Sequence, residues 1–284
     1  MADHTSREQP QLYNVHELEW QPHSEVPALA GVSARLLSKD ADGASMTVMA
    51  KLPAGWRAVE HADEATVELF VLEGGLAVNG EEVGAGGYVY LPRQTGSAEL
   101  RSAGGAQVVA FWNAQLDAIH GTEIALRRVW QEPWIASSMP GALHGAMHKS
   151  LRLPDVGDGK IHGGPGGLVR LVILTPGFLD DREHVHSVWE EMLFLGGDLL
   201  MPNRGVIAPG SYLGNPAEHW HAPMITQRSS IMLLQTTAPI DQVPREFPWG
   251  REMAERYLDS ESWLGEPAHQ PWDTIPHYHP PVPA

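Results

Sequence analysis

The chain reads as short apolar runs cut by glycine, proline, asparagine and aspartate. Seven runs have strand length and are rich in Val, Leu, Ile and Tyr: Ser45–Leu52, Val67–Leu72, Tyr88–Leu91, Gln107–Trp112, Leu168–Thr175, Met192–Leu195 and Ser230–Gln235. No helices alternate with them. Closely spaced strands without intervening helices predict an all-β sandwich or barrel of the jelly-roll kind. One short helix is expected around Arg251–Leu258. The tail from 265 to 284 is rich in proline and is expected to run extended, with Trp272 packed on the surface.

The pattern recurs. Residues 53–75, "PAGWRAVEHADEATVELFVLEGG", slide onto 176–198, "PGFLDDREHVHSVWEEMLFLGGD". Pro53 falls on Pro176, Glu60 on Glu183, His61 on His184, Asp63 on His186, Glu68 on Glu191 and Gly74 on Gly197, an offset of 123 positions (61 to 184). A second block follows each first one: "GGYVYLPRQTGS" (86–97) and "GSYLGNPAEHWH" (210–221) both run from Gly through five residues to Pro. The offset there is 124 (92 to 216). Two blocks in the same order at nearly one offset imply two copies of one domain. The loop-rich stretch 113–165 between them places the halves at about 1–125 and 126–284.

The second copy carries candidate chemistry. Residues i and i+2 of a strand share a face, so His184 and His186 aim two imidazoles into one space. Glu191 opens the next strand after a four-residue turn, and His221 stands five residues after Pro216. If the strands curl into a barrel, three imidazoles and one carboxylate converge. Such a set suits iron, zinc, nickel or copper, and on an octahedral ion it leaves two positions open. Glu190 competes with Glu191 for the carboxylate place. The repeat pairs Glu191 with Glu68 and Glu190 with Val67, which favours Glu191. Glu218, His219 and Tyr212 are the candidates for moving protons beside the metal. In the first copy the corresponding positions are His61, Asp63, Glu68 and Ser97. Serine replaces the last imidazole, so this site reads as degenerate and its half as structural. Histidines must be neutral to coordinate, so metal affinity should fall below about pH 6.

His184-x-His186-x4-Glu191-x5-Gly197, followed by Gly210-x5-Pro216-x4-His221, resembles the two motifs of the cupin superfamily. The resemblance covers roughly 45–112 and 168–235. It implies a bicupin: two tandem jelly-roll barrels, with a divalent metal, most often iron, manganese, zinc or nickel, on those four positions. The second half resembles ChrR-type cupin domains at motif level. Two departures stand out: Glu218 replaces the usual glycine after the second-block proline, and Ile225 replaces a later asparagine. The resemblance also implies a homodimer.

The remaining signals narrow the function. Formal net charge is -16 over 284 residues, which repels phosphate backbones and anionic lipid, so nucleic-acid and membrane-surface partners are not expected. There are no cysteines, which excludes disulfides, zinc-thiolate sites and iron–sulfur clusters. The leading residues show no signal peptide, and no apolar run has the length of a membrane span; a cytoplasmic address is the expectation. His144 and His148 are four apart, but the neighbouring glycines argue for a loop rather than a metal-binding helix. "HYH" at 277–279 is given no role. Trp189 and Trp220 flank the ligands and are expected in core or interface. The open-sided three-His, one-Glu set points first to a non-haem Fe(II) oxygenase acting on a small enolic or phenolic substrate, with Met192 and Phe194 keeping water out. The alternatives are a redox-neutral isomerase, lyase or hydrolase using Zn, Mn or Ni, and a non-enzymatic ligand-sensing cupin.

Overall fold

The computed structural model describes residues 5–61, 65–114, 123–137, 145–152, 167–201, 204–221, 223–247 and 252. The predicted helix at 251–258, the tail with Trp272, His277 and His279, and also His144 and Asp63, lie outside the described residues apart from 252. The described structure is almost entirely strand, arranged as two jelly-roll barrels. All seven predicted strands are present, some with longer bounds: Val67–Leu72 lies inside Thr66–Val78, and Met192–Leu195 inside Glu190–Gly197. Others went unpredicted. Trp56–His61 and Ser97–Ser102 pair with each other, and the second alternates exposed and buried positions instead of forming an apolar run. The stretch expected to be loop holds the strands Ala125–Arg128, Ile135–Ala136 and Ala146–Ser150, so His148 sits on a strand.

In the first sheet Thr66–Val78 lies between Gly87–Leu91 and Ala106–Asn113, which pairs with Ser45–Leu52. In the second, Glu190–Gly197 lies between Ser211–Asn215 and Ser230–Thr236, which pairs with Val169–Leu174. These strands are buried on both faces. Val67, Leu69 and Val71 fill the first barrel together with Val48, Val89 and Val108. Met192 and Phe194 fill the second with Leu213 and Met232. The opposite faces, with Phe70, Tyr88 and Phe111 from one barrel and Leu171, Leu193 and Leu233 from the other, meet in one core between the barrels. Each such buried side chain contributes roughly 1.5–3 kcal/mol, so this interface holds the two barrels as one body.

The duplication extends further upstream than the sequence blocks indicate. Val15 corresponds to Val129, Trp20 to Trp134 and Arg35 to Lys149, each 114 positions on (15 to 129). Arg35 donates Nε to the Leu18 carbonyl (2.7 Å) and lies 4.1 Å over Trp20. Lys149 donates to the Val129 carbonyl (2.9 Å) and lies 4.7 Å over Trp134. The leading strands cross over. Gln11–Asn14 pairs with Ser211–Asn215 in the second sheet, and Ala125–Arg128 pairs with Gly87–Leu91 in the first. A cut at 125/126 therefore falls inside a strand. Among the described residues no helix is long and apolar enough to cross a membrane.

Candidate metal centre

Arg182–Val185 carries His184, and His186 follows its end. Backbone hydrogen bonds from His184 N to the His221 carbonyl (3.2 Å) and from His221 N to the His184 carbonyl (3.0 Å) set the two motif blocks side by side. The turn that returns His221 needs a left-handed residue, supplied by Glu218 at φ 61°, whose N–H donates to the His186 carbonyl (2.8 Å). Where the family motif favours glycine, this chain thus places a strained glutamate. Its side chain is exposed, and it is the backbone of Glu218 that serves the site.

The side chains that converge are His186, Glu190 and His221, all buried, with ligand atoms within 4.8 Å of one another. Glu190 Oε2 lies 3.6 Å from His186 Nε2 and 3.8 Å from His221 Nε2. The Asp241 carbonyl accepts from His186 Nδ1, and the His219 carbonyl from His221 Nδ1 (3.3 Å). A carbonyl only accepts, so each Nδ1 carries its proton and each Nε2 offers a lone pair to the cavity. Orientation of metal-binding histidines through the far nitrogen is the usual arrangement. Asn215 Nδ2 donates to Glu190 Oε2 (3.2 Å), and Arg204 donates to Asn215 Oδ1 (3.3 Å). Two imidazoles and one carboxylate in this arrangement fit a divalent cation.

Protonation states agree with that role. Burial pushes His221 down to about 4, with Glu190 opposing, and pushes His184 down to about 4, helped by Arg182 and His186. Both therefore stay neutral well below the expected pH 6 limit. Burial alone would raise Glu190; His186, His221 and the Asn215 hydrogen bond reverse that and hold it below the ordinary carboxylate range.

Several predicted residues lie elsewhere. Glu191 is not beside the histidines. It points the opposite way from Glu190, into the core between the barrels, where Ser38 Oγ (2.8 Å), Thr47 Oγ1 (2.6 Å) and the Tyr212 hydroxyl donate to it. Tyr212 is thus removed from the cavity. The reason is strand parity: adjacent residues face opposite sides. His219 contacts Arg204 through Nε2 (3.3 Å) and serves His221 by its carbonyl. His184 lines the cavity, but its Nε2 sits 3.1 Å from Asp180 Oδ2 without hydrogen-bond direction, outside the three-ligand group. In the first barrel, Val67 occupies the place of Glu190 within the apolar core, Ser97 is exposed, and Glu68 is held by Tyr88 and by Arg152 Nε (3.0 Å) and Nη2 (2.5 Å). No carboxylate from position 67 or 68 faces that lumen.

The three ligands open onto a cavity of about 60 Å³ walled by Val172, Phe178, Met192, Met232 and Leu234. Sequence reasoning missed its polar members: Asp180, whose carboxyl burial pushes up against the opposing Arg182, and His148, whose Nδ1 lies 2.9 Å from Ser137 Oγ. His148 comes from a strand 36 positions before His184 (148 to 184), and Asp180 stands four positions before His184 on a two-residue strand that pairs with Met224–Ile225, so long-range pairing brings both to the cavity.

Comparisons agree with this architecture. A family model described as a ChrR cupin-like domain matches residues 8–113, the first barrel rather than the half bearing the intact motif. No curated protein matches the chain in sequence. Among solved structures, a candidate dioxygenase from Nostoc punctiforme superposes with a TM-score of 0.66 at 18% identity, over 84% of this chain and 87% of that one. Salicylate 1,2-dioxygenase from Pseudaminobacter salicylatoxidans gives 0.56 at 11% identity, covering 86% and 89%. A variant of Bacillus subtilis oxalate decarboxylase gives 0.52 at 12% identity, covering 88% and 84%. Residues 8–113 are thus a cupin-like domain by their match to that family model, and the two jelly-roll barrels with their repeated motif blocks have the cupin fold.

Proposed function

We propose that the chain is a metal-dependent oxygenase, with Fe(II) held by His186, Glu190 and His221 and a small enolic or phenolic compound as substrate. The carrying observation is the two-histidine, one-carboxylate set facing an apolar cavity. That ligand set, with open positions, is characteristic of non-haem Fe(II) oxygenases. Likeness to a salicylate dioxygenase and to a candidate dioxygenase supports the reading.

The bound ion would acidify the substrate hydroxyl and bring substrate and dioxygen together. The chain supplies the rest. The Asp241 and His219 carbonyls hold the two imidazoles in one tautomer. Phe178, Met192 and Met232 wall the cavity and exclude water. Asp180, paired with His184 at 3.1 Å, is the buried carboxyl placed to take a hydroxyl proton, the task the sequence assigned to Glu218, His219 and Tyr212. The test is oxygen uptake by the iron-loaded protein across a panel of small enols and phenols. Substrate-dependent uptake supports the proposal. Background uptake throughout, with turnover that survives strict anaerobiosis and zinc or manganese replacement, would move the protein to the redox-neutral class.

A further inference from the structure

We propose that Tyr212 is a positioning residue: through Glu191 it fixes the metal ligand Glu190, and the first barrel serves the second as part of that clamp. The inference rests on the metal-centre reading above. Glu190 and Glu191 are neighbours at the start of one strand and face opposite ways. On the cavity side Glu190 receives the Asn215 hydrogen bond. On the other side Glu191 is gripped by four groups. Ser38 Oγ and the Tyr212 hydroxyl donate to Oε2, Thr47 Oγ1 donates to Oε1, and Arg7 Nη2 lies 3.5 Å from Oε1. Arg7 also donates Nε to Ser38 Oγ (3.1 Å) and Nη2 to Thr47 Oγ1 (3.2 Å), so the donors hold one another. All five side chains are buried. A buried carboxylate accepting several charge-assisted bonds has one orientation, and the peptide it shares with Glu190 inherits that constraint. Arg7, Ser38 and Thr47 all belong to the first half of the chain.

The molecule contains its own control. In the first barrel Tyr88 grips Glu68 as Tyr212 grips Glu191, with Arg152 from the second half as the crossing partner. The residue beside Glu68 is Val67, an apolar core residue that binds nothing. The same lock therefore stands once beside a metal ligand and once beside a valine.

Tyr212→Phe and Tyr88→Phe in the full chain each remove one phenol–carboxylate hydrogen bond without changing ring packing. Both should lower the melting temperature by similar amounts. Only Tyr212→Phe should weaken Co(II), measured by chelator competition, and only it should alter the visible Co(II) spectrum. Outer-shell partners of metal ligands are worth 10–100-fold in affinity; one covalent step further out, a loss of about three- to tenfold is expected. Ser38→Ala should act in the same direction and guards against a Tyr212 variant that fails to fold. Co(II) affinity equal in Tyr212→Phe and the parent, or weakened equally in Tyr88→Phe, would overturn the proposal while leaving the metal centre intact. A parent chain that takes up no Co(II) would overturn both.

Discussion

Replacing Glu190 and Glu191 separately by glutamine separates two effects that sequence alone merges. Glu191→Gln keeps the shape of the side chain but removes the charge facing Arg7, Ser38, Thr47 and Tyr212. Breaking a buried, hydrogen-bonded pair on one side costs about 3–5 kcal/mol. With an unfolding entropy of about 2.1 cal/mol/K per residue over 284 residues, or about 0.6 kcal/mol/K, the metal-free protein should melt roughly 5–8 °C lower. Glu190→Gln removes a buried charge while an amide oxygen can still accept from Asn215, so its metal-free melting should move by no more than about 2 °C. Metal reverses the order. At a free concentration a hundred times Kd, an ion stabilises the parent by about 2.7 kcal/mol, or roughly 4–5 °C. Glu190→Gln should lose this rise, and Glu191→Gln should keep a rise from its lower baseline. Thermal melts of three proteins, each with and without Co(II) or Fe(II) under nitrogen, read all of it. A metal-induced rise that survives in Glu190→Gln and vanishes in Glu191→Gln, with unchanged metal-free melting of the latter, would refute the assignment of faces.

Acid should weaken the metal-free protein in a defined window. His184 and His221 sit at about 4 when folded, against an ordinary value of about 6.5 when unfolded. Between those values the unfolded chain binds more protons, so stability is complete above about pH 6.5 and falls toward pH 4, by on the order of 3 kcal/mol per histidine. Urea midpoints at several pH values should show the slope, and a profile equally steep in a His184→Gln, His221→Gln double variant would contradict this origin. Arg152→Met leaves Glu68 buried with only Tyr88 as a donor and should cost about 3–5 kcal/mol in urea unfolding; a change below about 1 kcal/mol would mean the pair is dispensable. Gly197→Ala should yield little folded protein, because Gly197 has φ 83° and an added Cβ would meet the Ser229 carbonyl oxygen at 1.8 Å; normal soluble yield would show that the turn can relax.

The fold was legible because the repeat and the strand punctuation are local signals. The convergence of His186 and His221 was legible for the same reason, from their spacing and the position after Pro216, whereas His184, read as a third ligand, lines the cavity outside their group. The carboxylate was not, and the failure has a physical cause. Alternation identifies a lumen-facing residue only when the other face is wet. Here Val67, Leu69 and Val71 fill a barrel while Phe70 and Leu72 fill the space between barrels, so both parities are apolar. The repeat correctly equated Glu68 with Glu191, but what those two residues share is the interface, not the metal. Val67 was the more telling counterpart, since it puts an apolar residue in the first barrel where the second has Glu190. Asp180, Asn215 and Asp241 reach the site through long-range pairing, and Glu218 contributes a backbone conformation, neither of which composition encodes.

The crossed leading strands bear on ancestry. When two identical subunits form a symmetric dimer, each can lend a terminal arm to its neighbour's sheet, an arrangement known as domain swapping. Gln11–Asn14 and Ala125–Arg128 exchange places within one chain in that manner. The molecule has the form of a swapped dimer whose subunits were fused by gene duplication, and fusion frees one copy from self-complementarity. Once the two sides of the interface are encoded separately, one barrel can fill its centre with valine while the other keeps its ligands. Neither can be excised without taking an edge strand from its sibling.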